Sequence, residues 1–181
     1  IKDGLIEPDA ETVASLHSQV LHLSHLVEDL RLIAMMEAGA LRMDMTVGDL
    51  GDIADLTVDS FQPRAKERDI ALTVSLAPDI PKISVDQTRM RQAIANLIEN
   101  AIAYSGPSPK IVLFAQDRGQ TIVAGVADAG EGIPEADIPR LTQRFTRLDR
   151  SRGSKGTGLG LALVQAIVHA HGATLTLSPN Q

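Results

Sequence analysis

Hydrophobic positions in the first forty residues recur at alternating spacings of three and four. The series runs through Val13, Leu16, Val20, Leu23, Val27, Leu30 and Ala34. This spacing is typical of one face of an α-helix that packs against a second helix over about three heptads. Leu26 and Ile33 widen the face, and Gly39 is suited to ending the helix. The pattern predicts one long helix over 8–41, called the stem below. Pairing with a second stem is favoured, and packing on its own domain is the alternative.

After the stem, the pattern changes to shorter segments of mixed type. Apolar residues at helical spacing predict four helices: over 49–68, from 86 to about 104, near 135–143, and over 158–171. Pro63 is expected to kink or shorten the first of these, and Asp86 is expected to cap the second. Alternation of apolar and polar residues predicts strands over 43–47, 70–76, 83–85, 110–116, 121–128 and 173–177. Strands on one side of several helices give an α+β fold, a two-layer α/β sandwich. We expect the stem at 1–43 and the mixed domain at 44–181.

Composition and charge exclude several classes of protein. The chain has no cysteine, which excludes a disulfide scaffold, a zinc ribbon and a thiol nucleophile. Its net charge of −6 and its four aromatic residues argue against a nucleic-acid binder. No apolar run reaches the roughly 18 residues of a membrane span. Residues 1–60 carry three basic and twelve acidic side chains, whereas 61–181 carry fourteen and eleven, so the two parts differ in character.

Two polar motifs are candidates for chemistry. Asn96 and Asn100 are four residues apart and share a helix face, where their amide oxygens suit a magnesium–phosphate group. The alternative is that they bond to backbone at a helix–sheet contact. Asp128-Ala-Gly130-Glu-Gly132 follows a predicted strand. Its carboxylate could accept from an amino group such as that of adenine, and its glycines would let backbone approach a ring. The alternative is a plain turn.

Two further motifs lie towards the end of the chain. Gly156-Thr-Gly158-Leu-Gly160 opens an apolar helix, and free amides at a helix N-terminus favour an anion. Its spacing matches neither a Walker A loop nor a dinucleotide fingerprint, and a glycine-capped helix start is the alternative. The segment 144–155 holds five basic residues and one acid directly before these glycines, with Phe145 as a lone aromatic. A solvated charged loop is the alternative there.

These four motifs occur in one order within residues 96–160, and in that order the chain resembles the catalytic ATP-binding domain of sensor histidine kinases. The resemblance covers about residues 45–178 and implies the Bergerat fold. The stem, with Leu26-Val-Glu-Asp-Leu30 and Ala38-Gly39-Ala40-Leu41, is similar to the second helix of the family's dimerisation and phosphoacceptor domain.

The resemblance implies a role for each matching residue. Asn100 would hold Mg²⁺ bridging the ATP phosphates, Asn96 would support it, and Asp128 would accept from the adenine amine. Glu99 is a further catalytic candidate, as a base. Residues 144–155 would form a lid over the triphosphate, anchored by Phe145. The residues expected to line the nucleotide are Asn100, Tyr104, Asp128, Gly130, Gly132, Ile133, Phe145, Arg147, Arg152, Lys155, Gly156, Thr157, Gly158, Leu159 and Gly160.

The implied reaction is transfer of the ATP γ-phosphoryl group to a histidine and then to an aspartate of a response regulator. The resemblance also implies a homodimer formed through the stem, in the cytoplasmic portion of a membrane-anchored sensor, with no nucleic acid and no membrane contact for this stretch. ATPases of the same fold carry a glutamate where Asn96 stands. Because an amide cannot act as a general base, Asn96 favours a kinase over a hydrolase.

Three departures from the family pattern bear on these expectations. None of the five histidines is followed by an acid, so we expect the phosphoacceptor motif before Ile1 and no self-phosphorylation by this stretch. Ala103 stands where a lysine is common. The family's final strand is absent, which predicts a sheet short of one edge strand. A nucleotide-free scaffold and an ATPase remain as alternatives, as does a serine kinase of the anti-sigma type, against which the stem argues.

Overall fold

The computed structural model describes residues 9–106, 109–130, 132–146 and 157–179. The stem is a single helix, α1 (Ala10–Glu37). Asp9 caps it by accepting from the Thr12 N–H at 2.7 Å. Gly39, with φ +63°, lies just beyond its end. The predicted long helix is therefore confirmed, and its cap is a residue that the hydrophobic pattern alone did not identify.

The rest of the chain alternates strands and helices. The elements in order are β1 (Thr46–Gly48), α2 (Leu50–Lys66), β2 (Ala71–Leu76), β3 (Ile83–Val85), α3 (Gln87–Ala103), β4 (Lys110–Asp117), β5 (Ile122–Asp128), a 3₁₀ turn (Glu135–Asp137), α4 (Ile138–Leu141) and α5 (Gly160–Ala170). Pro63 lies inside α2, which continues for three more residues. The predicted strand at 43–47 forms at β1, nearer the following helix.

The sheet supports the predicted α+β sandwich. Strand β2 runs parallel to β4, and β4 runs antiparallel to β5, while β1 and β3 form a separate antiparallel pair. Inward residues such as Leu72 and Ile111, which are register partners, are buried with Ile53 of α2 and Ile98 of α3. Helices α2 and α3 thus form the second layer over the three-stranded sheet.

The predicted last strand over 173–177 is not formed. Residues 173–179 have no regular structure. Leu175 packs against the apolar cluster around α5. Its side chain is therefore used in helix packing, and the alternation of apolar and polar residues in this segment was a misleading signal for a sheet edge.

The end of the stem packs on the domain. Leu32 and Ile33 are buried against α5, in a cluster with Leu163 and Ile167. The face predicted to pack on a second helix, called the seam below, is exposed further along the stem: Val20, Leu23 and Val27 are 62%, 61% and 60% exposed. Packing of the stem on its own domain is therefore confirmed at Leu32 and Ile33, and pairing with a second stem stays a prediction. In the described part of the chain, no helix is long and apolar enough to cross a membrane.

Candidate nucleotide-binding site

The asparagine pair lies in the middle of α3 and faces the start of α5. A methyl group built at Gly160 would lie 3.1 Å from Asn96 Oδ1 and 3.6 Å from Asn100 Nδ2. The Asn96 Nδ2 donates to the Gln92 carbonyl at 3.0 Å, which fixes the amide with its oxygen towards Gly160. Backbone bonding, the alternative considered for these residues, does occur. It is confined to the previous turn of the same helix and leaves the Asn96 oxygen directed at α5.

The first turn of α5 forms the opposite wall. The N–H groups that open an α-helix have no partner within it, and they attract negative charge. Leu159, which precedes the helix, is 1% exposed, so this end of α5 is held in the core. No described side chain caps the helix end, and the Thr157 hydroxyl accepts instead from the Leu159 N–H at 3.3 Å. The arrangement can hold a phosphate between two helices.

Gly158 closes the turn that leads into α5. Its φ of +72° favours glycine, and a Cβ there would lie 2.8–2.9 Å from backbone atoms of Phe145 and Thr146. The Phe145 N–H donates to the Gly158 carbonyl at 2.9 Å. These contacts bring the residues on the two sides of the predicted lid together.

The expectation that Phe145 anchors the lid stays a prediction, because residues 147–155 of the lid lie outside the described residues. The Phe145 ring is 65% exposed and belongs to neither apolar cluster. Its backbone has φ +61° in the turn that is bonded to Gly158. Four of the predicted lid and loop residues lie outside the described residues: Arg147, Arg152, Lys155 and Gly156.

The end of β5 is pressed against the end of α3. Asp128 Oδ1 accepts from the Gly130 N–H at 2.8 Å, which forms a tight turn. A Cβ at Gly130 would lie only 2.5 Å from the Tyr104 carbonyl oxygen. Asp128 and Ile133 are both half-buried, and Gly132 has φ +72°. The Gly130 contact brings the end of β5 against the C-terminal end of α3. This close approach requires glycine at position 130.

Glu99 occupies a different face of α3 from the asparagine pair. Its Oε1 lies 3.5 Å from Arg64 Nη1 of α2, and both side chains are about half exposed. Glu99 is also close enough to Asp29 of the stem to act on that carboxyl. Burial raises the pKa of Asp29, His25 opposes the rise, and Glu99 adds to it. The role of Glu99 as a base stays a prediction, and in this structure its carboxylate pairs with Arg64.

Two contacts around the site were not identified from the sequence. Arg144, at the start of the predicted lid, pairs with Glu37 at the end of the stem. His171 accepts at Nε2 from the Asp86 N–H at 3.0 Å. Both join residues that are distant in the chain, and no local pattern signals them. Only the capping role of Asp86 could be predicted, and it is confirmed by the 3.1 Å bond from the Arg89 N–H.

Comparison with known proteins identifies the family of this chain. Residues 85–181 match the family described as histidine kinase-, DNA gyrase B-, and HSP90-like ATPase. The chain belongs to this family. Within it, the chain is similar to the solved Acinetobacter baumannii histidine kinase AdeS. The two are 32% identical with a TM-score of 0.78, and the match covers 93% of this chain and 77% of that one. The resemblance to sensor histidine kinases inferred from the four motifs is confirmed.

Two further relatives show how much of a longer protein the chain covers. The signal transduction histidine-protein kinase BaeS of Escherichia coli is 35% identical over 173 residues, which cover 94% of this chain and 37% of BaeS. The full-length structure of ShkA in complex with AMPPNP is 27% identical with a TM-score of 0.80, covering 92% of this chain and 35% of that one. The chain therefore spans little more than a third of BaeS. It contains the ATP-binding catalytic region of a sensor histidine kinase.

Proposed function

We propose that this chain binds Mg²⁺-ATP between α3 and α5 and transfers the γ-phosphoryl group to a histidine outside residues 1–181. One observation carries the proposal: the Asn96 and Asn100 amides converge on the first turn of α5, within 3.1 and 3.6 Å of a Cβ position at Gly160. In this arrangement, the Asn96 amide oxygen and the Asn100 amide nitrogen on one wall face the helix N–H groups on the other, and such polar groups suit a metal-bound polyphosphate. ShkA, which was solved with AMPPNP, supports the choice of an adenine nucleotide.

The donor set fits Mg²⁺. Mg²⁺ prefers oxygen ligands, keeps several waters, and is usually held by one or two protein groups plus substrate phosphates. Asn100, with Asn96 beside it, would hold the ion in this way. When bound, Mg²⁺ would supply neutralisation of phosphate charge. Because Asn96 has an amide in place of a carboxylate, it orients its neighbours without taking a proton from water, which favours transfer over hydrolysis.

The base of the nucleotide belongs at the other end of α3. We place the adenine amine on the Asp128 carboxylate, since one of its oxygens is fixed by the Gly130 N–H and the group is half-buried at the end of β5. The remaining lining residues proposed are Tyr104, Gly130, Gly132, Ile133, Thr157, Gly158 and Leu159, with Arg147, Arg152, Lys155 and Gly156 from the lid. An exposed Phe145 ring leaves that side chain free to contact the nucleotide.

Calorimetric titration with Mg²⁺-ADP tests the adenine assignment. Asp128→Asn should weaken affinity by about tenfold or more, because a hydrogen bond to a charged group is lost and an amide cannot accept at both positions. Asp117→Asn is the matched control. Asp117 makes the same turn bond, to the Gly119 N–H at 2.7 Å, at the opposite end of the β4–β5 hairpin. Equal affinity in the Asp128 and Asp117 variants would contradict the assignment, and no binding by the unaltered chain would favour the nucleotide-free scaffold.

We propose further that residues 1–43 are the second helix of a dimerisation and phosphoacceptor hairpin and that 44–181 are the catalytic domain. The exposed seam residues Val20, Leu23 and Val27 support pairing with a second stem in a homodimer. A response-regulator receiver domain is the proposed acceptor of the phosphoryl group, in the cytoplasmic portion of the sensor. If the stems pair, Leu23→Glu should shift the chain towards monomer, as measured by analytical ultracentrifugation. A distribution identical to that of the unaltered chain would contradict the seam.

A further inference from the structure

Helices α3 and α5 form an antiparallel pair with contacts at both ends. At the site end, Gly160 faces the asparagine pair. At the far end, His171, just after α5, meets Asp86, just before α3. At 1.5 Å of rise per residue, the stretches from Gly160 to His171 and from Asp86 to Asn96 are each about 15 Å long. The two contacts therefore mark matching lengths of the two helices.

The hydrogen bonds of His171 define which nitrogen carries the proton. Nδ1 lies 2.8 Å from the Ile167 carbonyl oxygen, which can only accept, so Nδ1 donates. Nε2 lies 3.0 Å from the Asp86 backbone nitrogen, which can only donate, so Nε2 accepts. Both bonds require a neutral ring protonated on Nδ1. A protonated ring would present a donor to the Asp86 N–H.

Asp86 connects this bond to the stem. Its side chain is buried, at 6% exposed, and both carboxylate oxygens are used. Oδ1 accepts from the Arg89 N–H at 3.1 Å and caps α3. Oδ2 accepts from the Asp44 N–H, also at 3.1 Å, in the segment between the stem and β1. One residue thus joins the end of α5, the start of α3 and the connection to the stem.

We propose that His171 is a positioning residue that fixes the register of α5 along α3 and thereby the distance from the first turn of α5 to the asparagine pair. Its effect on nucleotide affinity rests on the proposed function above. A small slip of α5 along α3 matters because the two helices are already close at Gly160, where a Cβ would lie only 3.1 Å from Asn96 Oδ1. A side chain that only ended α5 would need the Ile167 bond alone. The bond to Asp86 is the one that crosses between helices.

Three variants separate positioning from simple stabilisation. His171→Phe keeps a ring and removes the acceptor, which leaves the Asp86 N–H without that bond. His171→Gln keeps both an acceptor and a donor at the end of a chain of similar reach. His169→Gln is the matched control, because His169 is exposed on the same helix two residues earlier. Mg²⁺-ADP affinity is measured by calorimetry for all three and for the unaltered chain.

We expect His171→Phe to weaken affinity by about tenfold, within the range reported for mutations that alter coupling between sites, and His171→Gln to restore it to within about twofold. His169→Gln should match the unaltered chain. Equal affinity in the Phe variant, or equal losses in the Phe and Gln variants, would overturn the proposal. If the unaltered chain bound no nucleotide, the proposed function would fail instead, and the spectroscopic test below would still decide the contact.

The second readout is the imidazole itself. Long-range ¹H–¹⁵N spectra of the unaltered chain at pH 8 should show His171 as the neutral ring protonated on Nδ1, while the exposed His169 should show the mixture typical of free histidine. The spectrum needs no variant, so it remains decisive even if His171→Phe does not fold. A His171 ring protonated on Nε2 would overturn the proposal, because such a ring cannot accept from the Asp86 N–H.

Discussion

Gly130 gives the sharpest single test of how the site is assembled. An alanine methyl group there would lie 2.5 Å from the Tyr104 carbonyl oxygen and 2.7 Å from Asp128 Oδ1. Both distances are below 3.0 Å, a separation that real Cβ atoms essentially never show. The Tyr104 oxygen is backbone at the end of α3 and cannot rotate away. Gly130→Ala must therefore push the end of β5 away from α3.

The expected cost follows from overpacking. Forcing an extra methyl group into a close contact typically costs about 1–3 kcal/mol. Alanine recovers about 0.4–1 kcal/mol of this by restricting the unfolded chain. We therefore expect a fall of about 1–2 kcal/mol in the free energy of unfolding. The same movement displaces the Asp128 carboxylate, so Mg²⁺-ADP affinity should fall by at least about fivefold, since a bond to a charged group is worth more than that.

Urea unfolding followed by circular dichroism, together with calorimetry, measures both effects. Gly119→Ala is the control, because Gly119 has φ +83° and its Cβ position has nothing within 4 Å. That variant should lose about 1–2 kcal/mol from left-handed backbone strain, with unchanged nucleotide affinity. If Gly130→Ala left both stability and affinity at the level of the unaltered chain, the close approach of β5 to α3 would be refuted. Loss of stability with full affinity would refute its link to the site.

Two other substitutions, at Asp29 and at Gly160, have an expected direction of effect on stability or on nucleotide affinity. Burial raises the pKa of Asp29 above its usual 3.8, so the folded chain keeps a proton there after the unfolded chain has lost it, and ionisation costs stability above pH 3.8. Asp29→Asn should therefore raise the melting temperature at pH 7 and have no effect on it below pH 3.8. Asp59→Asn, at an exposed position, is the control and should leave the melting temperature unchanged. A lower melting temperature of Asp29→Asn at pH 7 would contradict the expected direction. Gly160→Ala should weaken Mg²⁺-ADP binding without lowering stability, because better helix propensity of up to about 1 kcal/mol offsets a contact of 3.1 Å with Asn96. Unchanged affinity would contradict that contact.

The predictable features of the fold are those with local causes. Helix α3 begins where Asp86 caps it and ends within one residue of the predicted position, because capping and apolar spacing act within a few residues. The segment 173–177 shows the limit of the same reasoning. Its alternation is that of a strand, yet no strand forms there and Leu175 packs against the cluster around α5. Long-range packing overrides a local pattern there.

The sequence allowed candidate site residues to be named one by one, but it did not predict how they are arranged in space. Spacing alone put Asn96 and Asn100 on one helix face, and their meeting with Gly160, sixty residues later, required the fold. The bond between Asp86 and His171 spans 85 positions and has no signature in either segment. The backbone bond from Phe145 to Gly158 likewise joins the two sides of the predicted lid and has no signature in either segment.

Helix α3 explains why these distant contacts bear on one another. One face carries the asparagine pair towards α5. On another face Glu99 pairs with Arg64, and it adds to the rise that burial causes in the pKa of Asp29 in the stem. Its first turn is capped by Asp86 through the Arg89 N–H, and the Tyr104 carbonyl at its end lies against Gly130, just after β5. Because a packed helix moves as one body, a shift at any of these contacts displaces the others. The stem contact and the nucleotide site are therefore two faces of a single element.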